Sequence, residues 1–276
     1  MKKFYLLLIS ICLLTSCSSD SSSNDLNPNL LKRIDFYPET VYVRHWNFND
    51  NGLLNEITKA DGTVVQNFIY DTDNRLISAT LFNDNGINET HDFTYNSNDF
   101  ITSVDGVTVN YDAALDAYYT GVLNDHYRLT KINSQKLLVE GRKVVMDNDE
   151  TGINETRWNE MIVNYSNNNI MSYSPEDRCV IFTYDNNNNP LRNATLAICK
   201  AFSFIDGSRW IDGQINSINN PISQNYCPED PESSIYHYTY NSNNLPMVQI
   251  HDSYYHGAFE NTTTSIKYYY QGDILP

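Results

Sequence analysis

One acidic turn has side-chain oxygens at the spacing that a calcium ion requires. Asp147, Asp149 and Thr151 stand at alternate positions and a glycine stands sixth, as in the first half of a calcium-binding loop. The twelfth position holds Trp158 instead of a bidentate glutamate, and we expect no flanking helices. The same residues are typical of a tight hairpin turn, which we favour. We expect no bound metal and no other cofactor.

The histidines and carboxylates of the chain do not have catalytic spacing. His237, His251 and His256 are close in sequence, but no HxH or HxxxH spacing brings two ring nitrogens together. Motifs for an activated serine nucleophile or a phosphate-binding loop are absent. We therefore expect a protein that is not an enzyme. A carboxylate-dependent hydrolase stays an alternative, because the two acids of a glycosidase need no sequence motif.

Aromatic side chains are the remaining candidates for binding. The chain has 21 tyrosines, and aromatic residues that alternate along half-buried strands usually form the core. Trp46, Trp158 and Trp210 are the candidates for an exposed face that stacks on a sugar ring or on a protein partner. The core is the favoured location for any single aromatic residue, and an exposed binding face stays open at these three.

The N-terminal residues have the features of an export signal. Two lysines precede an apolar run from Phe4 to Leu14, which has the length of a signal-peptide core and is too short to span a membrane. The run ends in Leu14-Thr-Ser-Cys17, which resembles the lipobox of bacterial lipoproteins. That resemblance implies cleavage after residue 16, a diacylglycerol on the Cys17 thiol and an acylated amine. Several acyl chains on one residue anchor a protein stably.

The residues after Cys17 predict a location and a tether. Ser18 in place of aspartate implies, by the same resemblance, the outer membrane; whether the folded part faces the periplasm or the cell surface stays open. A Ser/Asn-rich segment such as this one is typical of a flexible linker. We predict a signal peptide over 1–16, a lipidated cysteine and tether over 17–31, and a β domain over 32–276.

Charge and cysteine content restrict the partners and the framework. The formal net charge is −16, and loss of Lys2 and Lys3 with the signal takes it to −18. Such a chain is repelled by nucleic acid and by anionic lipid head groups, which excludes both as electrostatic partners. The partners that remain are the membrane, through the lipid anchor, and a glycan or protein of the envelope. Three cysteines stay in the mature chain, and an oxidising compartment permits one disulfide among them. These are Cys179, Cys199 and Cys227.

A degenerate repeat runs through the chain from about residue 44. Each copy has an aromatic or apolar residue, any residue, Tyr or Phe, a small polar residue, several turn residues and an apolar strand start. The copies begin at Trp46, Phe68, Phe93, Val163, Phe182, Tyr238 and Tyr268. Residues two apart on a strand share a face, and Asn or Asp favours a tight turn. Each copy therefore predicts a strand, a turn and the start of an antiparallel strand.

One copy resembles a known repeat. Phe68-Ile-Tyr70-Asp71-Thr-Asp-Asn74-Arg75-Leu76 is similar to the YD repeat of RHS-type proteins, which reads Tyr-Asp, two residues, Gly-Arg-Leu. Asn74 replaces the glycine, and the other copies keep little beyond the step from tyrosine to a polar residue. The family's repeats wind into a long shell around a toxin, for which this chain is too short. The resemblance is therefore to the small YD-like lipoproteins of Gram-negative bacteria.

The patterns together predict an all-β fold, an antiparallel β-meander of hairpin repeats with roughly a dozen or more strands in a curled or wrapped sheet. Long helical periodicity is nearly absent, and we predict that insertions such as Asp206 to Pro231 are loops. Three function classes stay open. The first is a non-enzymatic cell-envelope lipoprotein, a binding or structural module on the outer membrane. The others are a periplasmic partner or immunity-type protein, and a carboxylate-dependent hydrolase.

The lipobox gives the first testable prediction. Replacing Cys17 with alanine is expected to abolish incorporation of radiolabelled palmitate, because the acceptor thiol is removed. Cys12→Ala is the matched control, since residue 12 leaves with the signal, and it is expected to keep the label. Label in Cys17→Ala, or no label in the wild type, contradicts the anchor. Proteolysis of intact cells then distinguishes a surface-facing from a periplasm-facing protein.

Overall fold

A computed structural model describes residues 27–83, 88–113, 117–120, 128–133, 136–144, 156–175, 179–202, 213–226 and 232–276. These residues form eighteen strands and two helices. The strands are β1 (Leu31–Phe36), β2 (Arg44–Phe48), β3 (Leu54–Lys59), β4 (Val64–Tyr70), β5 (Leu76–Phe82), β6 (Asn88–Tyr95), β7 (Ile101–Val104), β8 (Val107–Asp112), β9 (Ala117–Thr120), β10 (Arg128–Asn133), β11 (Lys136–Val144), β12 (Thr156–Ser166), β13 (Asn169–Pro175), β14 (Val180–Asn188), β15 (Asn219–Tyr226), β16 (Glu232–Tyr240), β17 (Pro246–Tyr255) and β18 (Ala258–Tyr270). The helices are α1 (Pro190–Phe202) and α2 (Gly213–Asn216).

The strands of the described chain lie in one antiparallel sheet, in which each strand pairs with the next along the sequence. β1 has a neighbour on both sides, because Ile34 pairs with Trp46 on β2 and with Tyr268 on β18. The sheet thus curls round until its last strand meets its first. The predicted all-β antiparallel meander in a wrapped sheet is confirmed.

Four turns of the repeat have the same hydrogen bonds. In the turn between β4 and β5, Asp71 Oδ1 accepts the N–H groups of Asp73 and Arg75, both at 2.9 Å. The Asn74 N–H donates to the Asp71 carbonyl at 3.1 Å, and the Asp71 N–H donates to the Arg75 carbonyl at 3.0 Å. The same bonds recur at Asn49–Leu53, Asn96–Phe100 and Asn241–Leu245. The first residue of each turn therefore fixes its backbone through its own side chain.

The fourth residue of each of these turns takes a left-handed conformation. Its φ is 75° at Gly52, 63° at Asn74, 61° at Asp99 and 57° at Asn244. Glycine, asparagine and aspartate tolerate that conformation best, which explains the choice of residue. Between β12 and β13 a shorter turn uses Asn167 and Asn168, at 50° and 61°.

Four tyrosines of the repeat bond to the strand before them. The hydroxyl of each donates to the backbone carbonyl of a residue at the start of that strand. These bonds join Tyr70 to Leu54 at 2.6 Å, Tyr95 to Leu76 at 2.7 Å, Tyr270 to Pro246 at 2.9 Å, and Tyr184 to Ile170. A β-bulge accompanies several of the aromatic residues at this position, including Phe48, Tyr70 and Tyr95. Bulges bend a strand and increase its twist, which favours a curled sheet.

The described chain has two short helices beside the sheet, and α1 is the longer one. The Asn189 side chain caps this helix, since its Oδ1 accepts the Leu191 N–H at 3.0 Å. Pro190 suits the first helical position, where its missing N–H is not needed. One side of the helix is buried, including Leu191, Ala194, Ile198 and Phe202. The helix packs against the sheet with that side.

Two predictions at this helix were wrong. The copy at Phe182 predicts a hairpin after Tyr184, but β14 continues to Asn188 and leads into α1. The predicted loop from Asp206 to Pro231 contains α2 and β15 in its described part, and β15 pairs with both β14 and β16. A polar residue after the repeat tyrosine therefore does not always begin a turn, as Asp185 after Tyr184 shows.

The core lies on the inner face of the wrapped sheet. Side chains of β1 to β7, β18 and α1 form one apolar cluster, with Ile34, Leu54, Phe68, Leu76 and Ile198 almost fully buried. Burial of each such side chain stabilises the fold by about 1.5–3 kcal/mol. A second cluster joins β12, β13 and β14 through Val163, Ile170, Val180 and Phe182. The helix and the first strands thus form one packed unit.

The hydroxyl bonds predict the effect of a single-atom deletion. Tyr70→Phe is expected to lower the free energy of unfolding by about 1–2 kcal/mol, because the Leu54 carbonyl loses a donor in a place that water does not reach. Urea unfolding followed by circular dichroism measures this change. The control is Tyr255→Phe, at a tyrosine that is 46% exposed, and it is expected to be near neutral. Equal effects of the two variants would contradict a structural role for the bond.

Candidate functional site

A cavity of about 740 Å³ lies between α1 and one end of the sheet. Successive antiparallel strands run in opposite directions, so the turns after β2, β4, β6 and β12 come to the same end. These turns form one wall and α1 forms the other. The volume is in the range of small-molecule sites. The lining residues are Leu53, Asp73, Asn74, Arg75, Tyr95, Asn98, Asp99, Phe100, Ile101, Tyr118, Tyr165, Asn168, Arg192, Asn193, Leu196, Ala197, Cys199, Lys200 and Asn216.

The turn wall presents an exposed aromatic ring. The Phe100 side chain is 52% exposed and stacks on Tyr118, with ring centroids 6.1 Å apart and an angle of 21° between the planes. Tyr118 is supported in turn by Tyr111, at 4.9 Å between centroids. An aromatic ring held in place by a second ring gives a ligand a rigid apolar face.

Arg75 connects two turns of the same wall. Its Nε donates to Asp71 Oδ2 at 2.7 Å, and its other nitrogens lie 3.3 Å from Asp73 and 3.2 Å from Asp99. Its guanidinium carbon also lies 5.2 Å from the centre of the Tyr95 ring. Burial opposes ionisation of Asp71, but hydrogen bonds from Arg75 and the turn hold its pKa below the usual range. The charge of Arg75 is thus matched by carboxylates of the turns.

The helix wall carries two more cations. Arg192 is half-buried in the first turn of α1, and Lys200 is exposed near its end. Within the described part of the chain, the Arg192 guanidinium has no ion pair or hydrogen bond. Burial raises the pKa of the neighbouring Tyr165 to about 12, and the charge of Arg192 opposes that rise. Arg192 is therefore placed beside an un-ionised phenol, not beside a carboxylate.

The cavity differs in charge from the protein as a whole. Its described lining has three cations, Arg75, Arg192 and Lys200, and two carboxylates, Asp73 and Asp99, and a third carboxylate, Asp71, pairs with Arg75. The full chain has a formal charge of −16. Because the guanidinium of Arg192 on the helix wall has no ion pair among the described residues, this part of the cavity favours an anionic or a polar ligand over a cation.

Of the three tryptophans predicted to bind ligands, only Trp46 has a described side chain, and it does not line the cavity. Trp46 is half-buried, packs on Phe36 with ring centroids 4.7 Å apart, and borders the main core. Only the backbone of Trp158 is described, as part of β12. Trp210 lies outside the described residues, as do Cys17, Asp147, Asp149, Thr151 and Cys227.

His237 and His251 each contact a residue on the neighbouring strand, and the two described cysteines have different partners. His237 contacts Asp252 at 2.9 Å and His251 contacts Ser234 at 2.8 Å, both between neighbouring strands. In the described part of the chain no three His, Cys, Asp or Glu residues are arranged to hold a metal. Cys179 is disulfide-bonded. The Cys199 thiol is buried and accepts a hydrogen bond from Asn216 Nδ2 at 2.7 Å.

Sequence reasoning did not identify the residues of the cavity, although signals for some of them exist. Arg75 was noted only as part of a repeat, and Phe100 only as the start of a strand. The two residues hold the same fifth position in their turns, as does Leu53. Aligning the turns by position points to three side chains that leave the sheet at one end. The sequence signal for Arg192 is the Asn189-Pro190 pair, which marks the start of α1.

Comparisons with known proteins add little to this geometry. No protein-family model matches the chain, and no curated protein matches its sequence. A crystal structure of a porin-like protein from Bacteroides uniformis has a TM-score of 0.36 and 10% identity over 87% of this chain and 98% of that one. One from Bacteroides vulgatus has a TM-score of 0.31 and 13% identity over 88% and 98%. At such TM-scores neither likeness carries an argument about this chain.

The helices of the described residues were also compared with the needs of a membrane span. Neither α1 nor α2 combines the length and the apolar character that crossing a bilayer requires.

The buried tyrosines predict loss of stability in alkali. Burial raises the pKa of Tyr95 and of Tyr165 to about 12 and that of Tyr70 and Tyr270 further, whereas an unfolded tyrosine ionises near pH 10. The unfolded state therefore loses protons first. The stabilisation is complete below about pH 10 and is lost as the pH rises through the folded pKa values.

Spectrophotometric titration measures this effect. Exposed tyrosines are expected to ionise first, and the buried ones in a later step that coincides with loss of the circular dichroism signal. Ionisation of every tyrosine in one early phase, with the folded signal retained, would contradict the predicted burial.

Proposed function

We propose that this chain is an outer-membrane lipoprotein that binds a saccharide in the cavity between the turns and α1. The observation that carries the proposal is the exposed Phe100 ring, stacked on Tyr118, at the edge of a cavity of small-molecule size. A sugar ring has an apolar face that packs on an aromatic ring and a rim of hydroxyl groups. The aromatic wall provides a surface for the apolar face of the sugar.

Amide side chains provide hydrogen-bond partners for the hydroxyl groups of the sugar. Asn74, Asn98, Asn168 and Asn193 line the same cavity. Each amide can donate and accept hydrogen bonds, as a hydroxyl can. The side-chain oxygen of Asn74, Oδ1, already accepts a hydrogen bond from Asn51 Nδ2 at 2.9 Å, and this bond orients the Asn74 amide. An apolar face with a few convergent polar groups is the usual design of a site that binds a small molecule.

The carboxylates of the lining support binding over hydrolysis. A glycosidase needs one acid that donates a proton and one carboxylate in a different environment. Asp73 and Asp99 instead share one partner, Arg75, at 3.3 and 3.2 Å. Their arrangement serves to join two turns, so we propose a binding module and not a hydrolase.

The described chain enters the sheet at the end where the cavity lies. Lys32 Nζ at the start of β1 contacts Asp50 at 2.8 Å, and Asn243 Nδ2 donates to Asn29 at 2.8 Å, so the chain enters the sheet beside the repeat turns. The Leu14-Thr-Ser-Cys17 sequence supports lipid on Cys17. Because Leu31 already opens β1 and residues 27–30 precede it in the described structure, a tether of residues 17–26, about 35 Å when fully extended, would let the cavity turn away from the lipid surface.

The proposal predicts the effect of removing the aromatic face. Full-length protein purified in detergent is to be tested against a panel of neutral and acidic oligosaccharides, with binding measured by calorimetry. Phe100→Ala is expected to weaken binding by about tenfold or more, a loss of about 1.4 kcal/mol. The matched control is Phe259→Ala, because Phe259 is 58% exposed and contacts Tyr254 edge-on near the opposite end of the sheet.

Two outcomes would contradict the proposal. The first is that no saccharide of the panel binds to the wild type. The second is that Phe259→Ala weakens binding as much as Phe100→Ala, which would show that the saccharide does not bind in the cavity. Unfolding curves of both variants show whether a loss of binding comes from a loss of fold.

A further inference from the structure

We infer that the bound saccharide carries a carboxylate, as a uronic acid does, and that Arg192 is the residue that recognises it. This inference rests on the proposed function, because it names the class of sugar that the same cavity takes. The aromatic and amide groups of the lining suit any saccharide. The distribution of charge is what distinguishes an acidic from a neutral one.

The two guanidinium groups of the lining have different surroundings. Arg75 contacts Asp71, Asp73 and Asp99, so its charge is matched within the protein. Arg192 is half-buried, lines the cavity, and has no ion pair within the described part of the chain. A half-buried cation without a partner is costly, since water solvates it only in part. An anionic ligand removes that cost.

The position of Arg192 in the helix points to the same ligand charge. It lies in the first turn of α1, where the unpaired N–H groups and the helix dipole are positive and where acidic residues are favoured. The first turn of α1 has no acidic residue. A cation at this position adds to the positive potential of the helix end and is stabilised when an anion binds beside it.

The shape of the guanidinium favours a carboxylate among the anions. Its N–H groups form a planar fork that matches the two oxygens of a carboxylate. The neighbouring Asn193 and Asn168 amides and the Tyr165 ring line the same part of the cavity. They are placed to contact the hydroxyl groups and the ring of a sugar whose carboxylate binds to Arg192.

Matched pairs of ligands test the inference. Uronic acid oligosaccharides are compared with their methyl esters, which keep the sugar ring and remove the charge, on full-length protein. The wild type is expected to bind the free acids about tenfold tighter or more, and this preference is expected to fall as salt rises. Arg192→Gln is expected to lose the preference, and Arg192→Lys to keep part of it.

The control variant removes a cation from another place. Arg44 donates to the carbonyls of Tyr42 and Val43 at the far end of β2, so Arg44→Gln is expected to leave the preference unchanged. Unfolding curves of Arg192→Gln exclude a general loss of fold, and retained binding of the methyl esters shows that its cavity is intact.

The outcomes separate this inference from the proposed function. Equal binding of acids and esters, or binding of neutral sugars alone, overturns the carboxylate and leaves a saccharide site. Tighter binding of sulfated sugars than of uronates also overturns it. If Arg192→Gln keeps the full preference for acids over esters, Arg192 is not the residue that recognises the carboxylate. Failure of every saccharide to bind to the wild type contradicts the proposed function itself.

Discussion

The hydrogen bond from a repeat tyrosine to the start of the neighbouring strand is the constraint on which the sheet depends. A tyrosine that points into the core must find a partner for its hydroxyl, because an unpaired polar group is costly there. Tyr70, Tyr95 and Tyr270 find it in the backbone carbonyl of the residue that follows the preceding repeat turn. The Asp or Asn that begins that earlier turn fixes its backbone and so the position of the carbonyl. The tyrosine of one copy and the polar turn residue of the copy before it therefore form one device.

The same device makes the sheet curl and thereby creates an interior that must be filled. Bulges at Tyr70, Tyr95 and Tyr240 add twist beside successive turns. Around the first strands α1 fills the interior with apolar side chains. Around the last strands a polar network does so, in which buried Gln249 bonds to Tyr238 at 2.5 Å and to Ser265 at 2.6 Å. The cavity is the volume that remains where the helix meets the turns.

The strands and turns could be predicted from the sequence because their chemistry is local. An aromatic residue, its neighbour two positions on and a side chain that bonds its own backbone all lie within a few residues. The helix gave local signals too, in the Asn189-Pro190 start and the buried spacing of Leu191, Ala194 and Ile198. Asp185 follows Tyr184 as in a turn, however, and that local resemblance outweighed the helical spacing. Whether a segment enters the interior of a curled sheet depends on contacts far away in sequence, which no local pattern records.

The cavity shows how a repeat can hold a site without a motif. Since the first residue of each turn fixes the backbone, the side chain at the fifth position is free to vary while its direction stays the same. That position holds Leu53, Arg75, Phe100 and Leu245 in the four turns. The first three line the cavity, whereas Leu245 packs against the core. Constant positions of the repeat thus build the frame, and its variable position supplies an aromatic face and a cation to one wall. Arg192 comes from the one connection that departs from the repeat, so the site forms where a regular and an irregular element meet.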